Sequence, residues 1–291
     1  RSASETTSAI WINEPFAAPD SRPYKTDLLA EVVDGLGRQS ILTYRSYIGI
    51  AFDQEGAAPK AYLGTREGQK DERSPEYPVL DPPMPGYVAT DLKVVGPGVP
   101  QRTSSYKYKG YRVDTSTGKS YGFSTQEITD QERNRRTVIE FVQKDGLVGN
   151  IASTRVVQGL RGGKEVEISR SVSAFSLSRR NGAPIDDGFS PEILRVKLDR
   201  TESVNADLKG IGLSSQVDEL TYDDNGNPTK IKTTFADGSG SETTNRYDDN
   251  LVDSHLARLT GSSVTQFSPG KPSQTRRAAF SYSLKTGQLV K

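Results

Sequence analysis

The chain contains no cysteine and a single histidine, His255, among its 291 residues. Without cysteine there is no disulfide framework, no thiol nucleophile and no cysteine-ligated metal. A zinc site normally uses more than one histidine when cysteine is absent, so one imidazole is a poor basis for such a site. No Gly-x-Ser-x-Gly nucleophile motif lies near His255 either. We therefore interpret His255 as a polar or half-buried strand residue and expect no enzyme and no cofactor.

Excess charge and long apolar runs are also missing. The chain has 38 Lys and Arg against 37 Asp and Glu. This balance gives neither the basic footprint of a nucleic-acid-binding protein nor an acidic tail. No stretch approaches the roughly 18 consecutive apolar residues of a membrane-spanning helix, so we expect no membrane span. The sequence starts at Arg1 without an apolar signal segment, and we interpret it as a fragment or processed piece of something longer.

Strand patterns with turn residues between them dominate what is present. Period-two alternation of β-branched and aromatic residues occurs in five stretches, 40–52, 104–113, 136–143, 165–178 and 230–235. Turn pairs separate them, for example Asp145-Gly146, Asn225-Gly226 and Asp237-Gly238. Such spacing predicts an all-β chain of serial antiparallel hairpins.

Three stretches depart from this pattern. Residues 54–103 are rich in proline, and we expect a long crossing or a partly irregular insertion there. Residues 179–191 (RRNGAPIDDGFSP) read as an exposed loop. The stretch ITDQERNRR (128–136) is the best candidate for one or two helical turns.

A degenerate repeat runs through the chain. An aromatic residue, a turn with glycine and a short strand follow one another at 111–123, 222–231 and 282–291. The pairs Tyr222-Asp223 and Tyr247-Asp248 are 25 residues apart, since 247 − 222 = 25. Units that each bury little surface of their own predict a stacked or spiralling sheet.

The segment 217–291 resembles the Rhs/YD-repeat family, in particular its SpvB/TcdB-like branch, the B component of bacterial Tc toxin complexes. The resemblance is carried by YDDNGNPT, by TTNRYDD, by HLARLTGSSVTQF and by FSYSLKTGQL. Upstream, DLLAEVVDGLGRQSILTYRSY and YKYKGYRVDTSTGKSYGF are similar to two further hairpins of this branch. Ala257 stands where the family pattern has glycine, and Ser283 stands where the last repeat has aspartate.

The resemblance implies antiparallel hairpin repeats that form an arc of a large Rhs-type β-shell around a toxic C-terminal polypeptide. It implies an initial segment (1–26), a degenerate hairpin region (27–216) that contains the proline-rich crossing, and YD-repeat-like hairpins (217–291). Its partners would be flanking segments of the same shell, the enclosed toxin polypeptide and other toxin-complex subunits, and the protein would be secreted or delivered by bacteria. The framework residues would be Tyr222, Asp223, Gly226, Asn227, Gly238, Tyr247, Asp248, Arg258 and Gly287.

The acidic turn at 223–227 has two interpretations. Carboxylates and amides in a loop suit Ca²⁺, but the EF-hand spacing fails because Gly226 is fourth from Asp223 and no glutamate is twelfth. We favour a hairpin in which Asn225-Gly226 supplies the two positive-φ residues of a type I′ turn. The aspartates would then accept hydrogen bonds from backbone amides.

Several other motifs have structural explanations. The pairs Asp186-Asp187, Asp223-Asp224 and Asp248-Asp249 are poor glycosidase candidates, because adjacent strand residues point to opposite faces. The stretch 161–164 (RGGK) lacks a full phosphate-loop motif, and 81–86 (DPPMPG) reads as a proline-rich loop. Four tyrosines that could stack on sugars or bases are better suited to cross-strand packing: Tyr106, Tyr108, Tyr111 and Tyr121.

A second functional class remains open. Short strands with frequent turns also suit an extracellular β-sandwich or adhesin-like module that binds carbohydrate or a surface protein. Such a module needs closed sheet ends within this chain, whereas an arc of a shell must expose unpaired strand edges.

Overall fold

The computed structural model of the chain describes residues 28–46, 62–63, 79–80, 87–179, 194–250, 255–283 and 286–290. All regular secondary structure within these ranges is β-strand. The strands are β1 (Glu31–Val33), β2 (Gln39–Ser46), β3 (Tyr62–Leu63), β4 (Val79–Leu80), β5 (Tyr87–Gly96), β6 (Val99–Lys109), β7 (Arg112–Asp114), β8 (Lys119–Gly122), β9 (Thr125–Asp130), β10 (Arg135–Phe141), β11 (Ile151–Gly159), β12 (Glu165–Arg179), β13 (Leu194–Ala206), β14 (Gly212–Tyr222), β15 (Pro228–Phe235), β16 (Gly240–Asn250), β17 (His255–Ser268) and β18 (Lys271–Ala279).

Most of these strands follow one another in a single long antiparallel sheet. Its order is β1-β2-β5-β6-β9-β10-β11-β12-β13-β14-β15-β16-β17-β18, and β3 joins it by a short parallel pairing with β6. A separate small sheet has the order β4-β7-β8. From β9 onward each strand neighbours the strand before it in sequence, as serial hairpins require. The all-β antiparallel fold expected from the sequence is confirmed.

The chain divides into two compact units. The first comprises the described residues of Arg1–Val138 together with Gln158–Lys164, and the second comprises those of Ile139–Val157 and Glu165–Lys291. The boundary expected at 26/27 lies outside the described residues, and the one at 216/217 falls inside β14. The regional division expected from the sequence therefore stays a prediction.

Aromatic packing supports the first unit. Tyr121 is only 6% exposed. The ring of Phe123 lies 4.9 Å from that of Tyr108 and 5.2 Å from that of Tyr111, centroid to centroid. Tilted ring pairs at these distances add to the stabilisation that comes from buried apolar area.

The second unit has little buried apolar surface. Among its described residues, the buried apolar side chains are Leu147, Val157 and Leu177. Exposure alternates along β12, where Arg170, Val172 and Ala174 are exposed and the residues between them are half-buried. Backbone ladders and cross-strand polar contacts must therefore carry much of the stability of this unit, since the inner strands of an antiparallel sheet pair their backbone groups on both sides.

Part of the expected proline-rich crossing is regular structure. Residues 87–103 belong to the antiparallel hairpin of β5 and β6, so the expectation of an irregular insertion is wrong there. The reason is a tight connection at 97–98, where Gly98 has a φ of 69° and lets β6 fold back along β5. Of the remainder, 62–63 and 79–80 are described, and both are strands.

The helical turns for which 128–136 was a candidate are absent. β9 ends at Asp130, a turn follows, and β10 begins at Arg135. Asp130 Oδ1 accepts a hydrogen bond from the Arg133 amide at 3.0 Å, and Asn134 has a φ of 50°. Gln158 Nε2 donates to the carbonyls of Arg133 and Asn134, which fixes the turn from the neighbouring strand.

The remaining stretches singled out in the sequence lie outside the described residues or form a turn. Most of the 179–191 loop, Asp186-Asp187 and the 81–86 stretch lie outside the described residues. The glycine-rich 161–164 stretch is the connection between β11 and β12, closed by a 2.7 Å hydrogen bond from the Leu160 amide to the Lys164 carbonyl.

Gly240 sits where a side chain would collide with backbone. A Cβ at Gly240 would lie 2.0 Å from the Thr233 carbonyl oxygen on β15. We expect Gly240→Ala to lower the free energy of unfolding by about 1–3 kcal/mol, because a packed ladder must shift to admit the methyl group. Chemical denaturation of the 291-residue chain measures this change.

Gly212→Ala is the matched control for Gly240→Ala. Gly212 also begins a strand, and a Cβ there meets nothing within 4 Å. We expect its stability to stay within about 0.5 kcal/mol of the parent chain. Equal losses in the two variants would contradict the assigned register of β15 and β16.

Candidate functional site: the Tyr-Asp hairpins

The Tyr222-Asp223 hairpin is closed by a three-residue loop. The Asp223 amide donates to the Asn227 carbonyl at 3.0 Å, and the Gly226 amide donates to the Asp223 carbonyl at 3.1 Å. Gly226 has a φ of 85°, whereas Asn225 is not among the described residues with positive φ. The expected two-residue type I′ turn is therefore wrong. A three-residue loop with glycine in the left-handed region, followed by a bulge, forms instead, and the β14–β15 register shifts at Thr221/Tyr222.

The carboxylate of Asp223 is occupied by the loop itself. Its Oδ1 accepts hydrogen bonds from the Asn225 and Asn227 amides, each at 2.9 Å. Its Oδ2 accepts one from Asn227 Nδ2, also at 2.9 Å, and Asn227 is buried. Among the residues that the structure describes, no group of three or more potential metal ligands comes together. The arrangement can order a turn, but it does not form a calcium-binding cage.

The same loop occurs at two other places. At 34–38 the Gly37 amide donates to the Asp34 carbonyl at 3.0 Å, and at 207–211 the Gly210 amide donates to the Asp207 carbonyl at 3.0 Å. In both loops the aspartate Oδ1 accepts two further backbone amides. Sequence reasoning missed the 207–211 loop, although its signal, aspartate three residues before glycine, is present in the sequence.

Backbone and hydroxyl donors favour the ionised form of several loop aspartates. The Arg38 amide lowers the pKa of Asp34, the Ser116 hydroxyl lowers that of Asp114, and the Ser239 hydroxyl lowers that of Asp237. These three groups stabilise their turns when charged. That contribution is present at neutral pH and is lost as the pH falls through their lowered folded-state pKa values.

The Gly238 loop uses the same backbone closure without aspartate in the first position. The Gly238 amide donates to the Phe235 carbonyl at 3.0 Å, and Gly238 has a φ of 77°. Asp237 caps this loop by accepting the Ser239 amide at 2.9 Å.

The turn of the last repeat is a slightly longer loop, which also occurs at 114–118. Gly118 donates to the Asp114 carbonyl and Gly287 to the Ser283 carbonyl, each at 2.8 Å. Asp114 Oδ1 accepts the Ser116 amide at 2.8 Å, while Ser283 Oγ accepts the Thr286 amide at 3.2 Å. Ser283 departs from the pattern of the family that the sequence resembles, yet its hydroxyl still accepts a backbone hydrogen bond of the turn.

Tyrosine hydroxyls bond to backbone carbonyls on the preceding strand. Tyr222 donates to the Leu198 carbonyl at 2.8 Å, Tyr247 to Pro228 at 3.2 Å, and Tyr282 to Leu259 at 3.0 Å. Tyr108 makes the equivalent bond to Ala89 at 3.0 Å in the first unit. Each ring lies over its neighbour strand, and burial raises the pKa of Tyr222 and Tyr108.

Cations cover two of these rings. Lys197 Nζ lies 5.7 Å from the ring centroid of Tyr222, and the Arg258 guanidinium lies 5.4 Å from that of Tyr282. Such cation–π contacts are weakly stabilising at exposed sites.

The two Tyr-Asp pairs have different surroundings. Tyr222-Asp223 enters a tight turn, whereas Tyr247 and Asp248 lie within β16, where Asp248 is paired in register with Arg258. The backbone of His255 begins β17 opposite Asn250. The structure therefore brings Asp223, Gly226 and Asn227 into one loop, and it leaves Asp248 outside any tight turn.

Comparisons with known proteins find similar structures but no similar sequences. No family model matches the chain, and no curated protein matches its sequence. Within the described residues, no helix is long and apolar enough to cross a membrane. The fold is a series of antiparallel hairpins, and solved structures match it over most of its length.

These structures are Tc toxin chains. A mutant form of the Photorhabdus luminescens Tc holotoxin pore matches 90% of this chain with a TM-score of 0.64 at 11% identity. A TcdB2-TccC3-TEV crystal structure matches 89% with a TM-score of 0.61 at 10% identity. A TcdB2-TccC3-Cdc42 structure matches 92% with a TM-score of 0.55 at 10% identity. In each case the match spans 17% of the other chain. The resemblance to Rhs-type Tc toxin proteins is confirmed at the level of the fold.

Removal of the tyrosine hydroxyls tests the cross-strand bonds. We expect Tyr222→Phe and Tyr282→Phe each to lower the free energy of unfolding by about 0.5–1.5 kcal/mol, because a half-buried carbonyl loses its added donor. Tyr106→Phe is the control, since the Tyr106 hydroxyl has no partner among the described residues. If Tyr106→Phe lowered the free energy of unfolding as much as Tyr222→Phe, the cross-strand hydroxyl bonds would not be the source of the stability.

Ala257 carries backbone strain. Its φ is 62°, in the left-handed region that favours glycine, and the family that the sequence resembles has glycine at this position. We expect Ala257→Gly to raise the free energy of unfolding by about 1 kcal/mol, since an L-residue in this region costs roughly that much.

Ala279→Gly provides the opposite control for Ala257→Gly. Ala279 is an exposed strand residue without positive φ, so glycine there should lower stability by about 0.5–1 kcal/mol. Thermal or chemical unfolding of both variants separates the two effects. A lower free energy of unfolding in Ala257→Gly would contradict backbone strain at Ala257.

Proposed function

We propose that the chain is a non-enzymatic structural segment of an Rhs/Tc-toxin-type shell that encloses a toxic C-terminal polypeptide and helps to deliver it. The observation that carries this proposal is the fold match of nine-tenths of the chain to a segment of Tc toxin chains. A segment of that kind needs strands that continue from one hairpin to the next, and the serial order from β9 to β18 has this property.

The last strand supports a continuing sheet. β18 ends the strand order, and within the described residues only β17 pairs with it. After β18 the chain turns back, with Tyr282 bridged to Leu289 and the Val290 amide bonded to the Ser281 carbonyl at 2.8 Å. An extended chain that continued from Val290 in this register would run along the unpaired edge of β18. Proteins pair, cover or otherwise protect such edges, because an unpaired strand edge is open to pairing with another chain.

The contacts of the predicted residues support a framework role for them. Asp223, Gly226 and Asn227 close one hairpin, Gly238 and Gly287 close two more, and the hydroxyls of Tyr222 and Tyr247 bond to neighbouring strands. Arg258 lies over the ring of Tyr282. For Asp248 we propose only a place in the β16–β17 register, opposite Arg258.

The proposal extends to partners and location. The partners are flanking segments of the same shell, the enclosed polypeptide and other subunits of a toxin complex, and the protein is secreted or delivered by bacteria. Support comes from the complexes named for the matching structures, which include TccC3. The competing β-sandwich module requires two packed sheets, whereas the described strands form one long sheet and one of only three strands.

Limited proteolysis of the complete gene product that contains these residues tests the enclosure. We expect a protease-resistant assembly in which residues 28–290 and a C-terminal polypeptide both survive, as intact mass analysis would show. The matched control is the same product with Gly240→Ala, in which a disturbed ladder should expose the polypeptide sooner. Release of this chain as a resistant unit while the C-terminal polypeptide is digested would contradict enclosure.

A further inference from the structure

The end of the chain is cationic although the whole chain is nearly neutral. Residues 254–291 contain no aspartate and no glutamate, and they hold Arg258, Lys271, Arg276, Arg277, Lys285 and Lys291. The β17–β18 hairpin accounts for most of this segment. Positive charge that is not balanced within a hairpin attracts anionic partners.

Arg277 of this segment and Arg246 on the neighbouring strand β16 share one face of the sheet. Thr244 on β16 pairs with Ser263 on β17, and Ser263 pairs with Arg277 on β18. Arg246 lies two residues after Thr244 and pairs with Gly261. Directly paired residues lie on the same face of an antiparallel sheet. Arg246, Arg277 and the hydroxyls of Thr244 and Ser263 therefore project from one face.

A hollow of about 730 Å³ opens between these side chains. Its lining includes Thr244, Arg246, Gly261, Ser263 and Arg277. Gly261 leaves space in the central strand, since a Cβ there would meet only the Ala278 carbonyl oxygen, at 3.7 Å. An unfilled position between two long cationic side chains makes room for a ligand group.

Within the described part of the chain, no protein group engages the donors around the hollow. Among the described residues, neither guanidinium forms an ion pair, and neither the Thr244 nor the Ser263 hydroxyl has a hydrogen-bond partner. Glu242, which lies on the same face of β16 as Thr244, is paired with Lys230 at 2.9 Å. Two arginines and two hydroxyls therefore keep their donors available.

We propose that this hollow is a binding site for the carboxylates of an acidic peptide segment. Arginine presents a planar fork of donors that matches a carboxylate in two parallel hydrogen bonds, and hydroxyls on the floor add single donors. Two guanidiniums on strands that flank β17 suit neighbouring acidic side chains of one extended peptide. The proposal does not depend on the role of the chain in a toxin shell.

Calorimetric titration of the 291-residue chain with a hexaglutamate peptide at low ionic strength tests the site. We expect Arg246→Gln and Arg277→Gln each to weaken binding about fivefold or more, in line with the loss of one well-placed ion pair. Arg276→Gln is the matched control, because Arg276 pairs with Val264 and belongs to the opposite face. It removes the same charge from the adjacent residue, and we expect it to change binding by less than about twofold.

Gly261→Leu tests the shape of the hollow without a change in charge. The new side chain would fill the space between the two arginines, so we expect a loss of affinity comparable to that of Arg277→Gln. Unfolding midpoints of all four variants show whether each remains folded. The proposal is overturned if Arg276→Gln weakens binding as much as Arg277→Gln, or if folded Gly261→Leu binds like the parent. It is also overturned if inorganic phosphate binds and hexaglutamate does not.

Discussion

The backbone hydrogen-bond ladder between consecutive strands is the interaction on which the rest of this structure depends. Only five apolar side chains are buried among the described residues, Tyr121, Val138, Leu147, Val157 and Leu177. A chain with so little apolar burial has few ways to fix the position of one strand against the next. Register must then come from the ladder itself, from the loops that join the strands and from side chains that bond across them.

Loops and tyrosines set the register together. The Asp-x-x-Gly-x loops orient a hairpin because the aspartate accepts backbone amides on the far side of the turn. A bulge follows next to Tyr222, and the tyrosine hydroxyl then bonds to the strand on the other side at Leu198. One Tyr-Asp pair therefore connects three successive strands, β13, β14 and β15. This explains why a repeat of small residues, aspartates and tyrosines builds a sheet without a thick core.

The sequence predicted the strands well because alternation and glycine turns are local signals. It failed at 128–136, where the contact that fixes the turn comes from Gln158, far along the chain. It also predicted the wrong turn type at Asn225-Gly226. The length of this loop depends on where the strand pairing resumes, at Asn227. The tyrosine hydroxyl bonds and the hollow between Arg246 and Arg277 depend on the strand register, and spacing along the sequence does not reveal which residues face each other across β17.

The edge of β18 that no described strand pairs with offers the most direct test that this sheet continues into further strands of a larger shell. The Phe280 amide points to β17 and the Ser281 carbonyl points away from it, so by alternation the amides of Thr275, Arg277 and Ala279 face the open edge. Hydrogen–deuterium exchange measures their protection in the 291-residue chain and in the complete gene product. We expect fast exchange in the 291-residue chain and slow exchange in the complete gene product. Fast exchange of these three amides in both would contradict a continuing sheet.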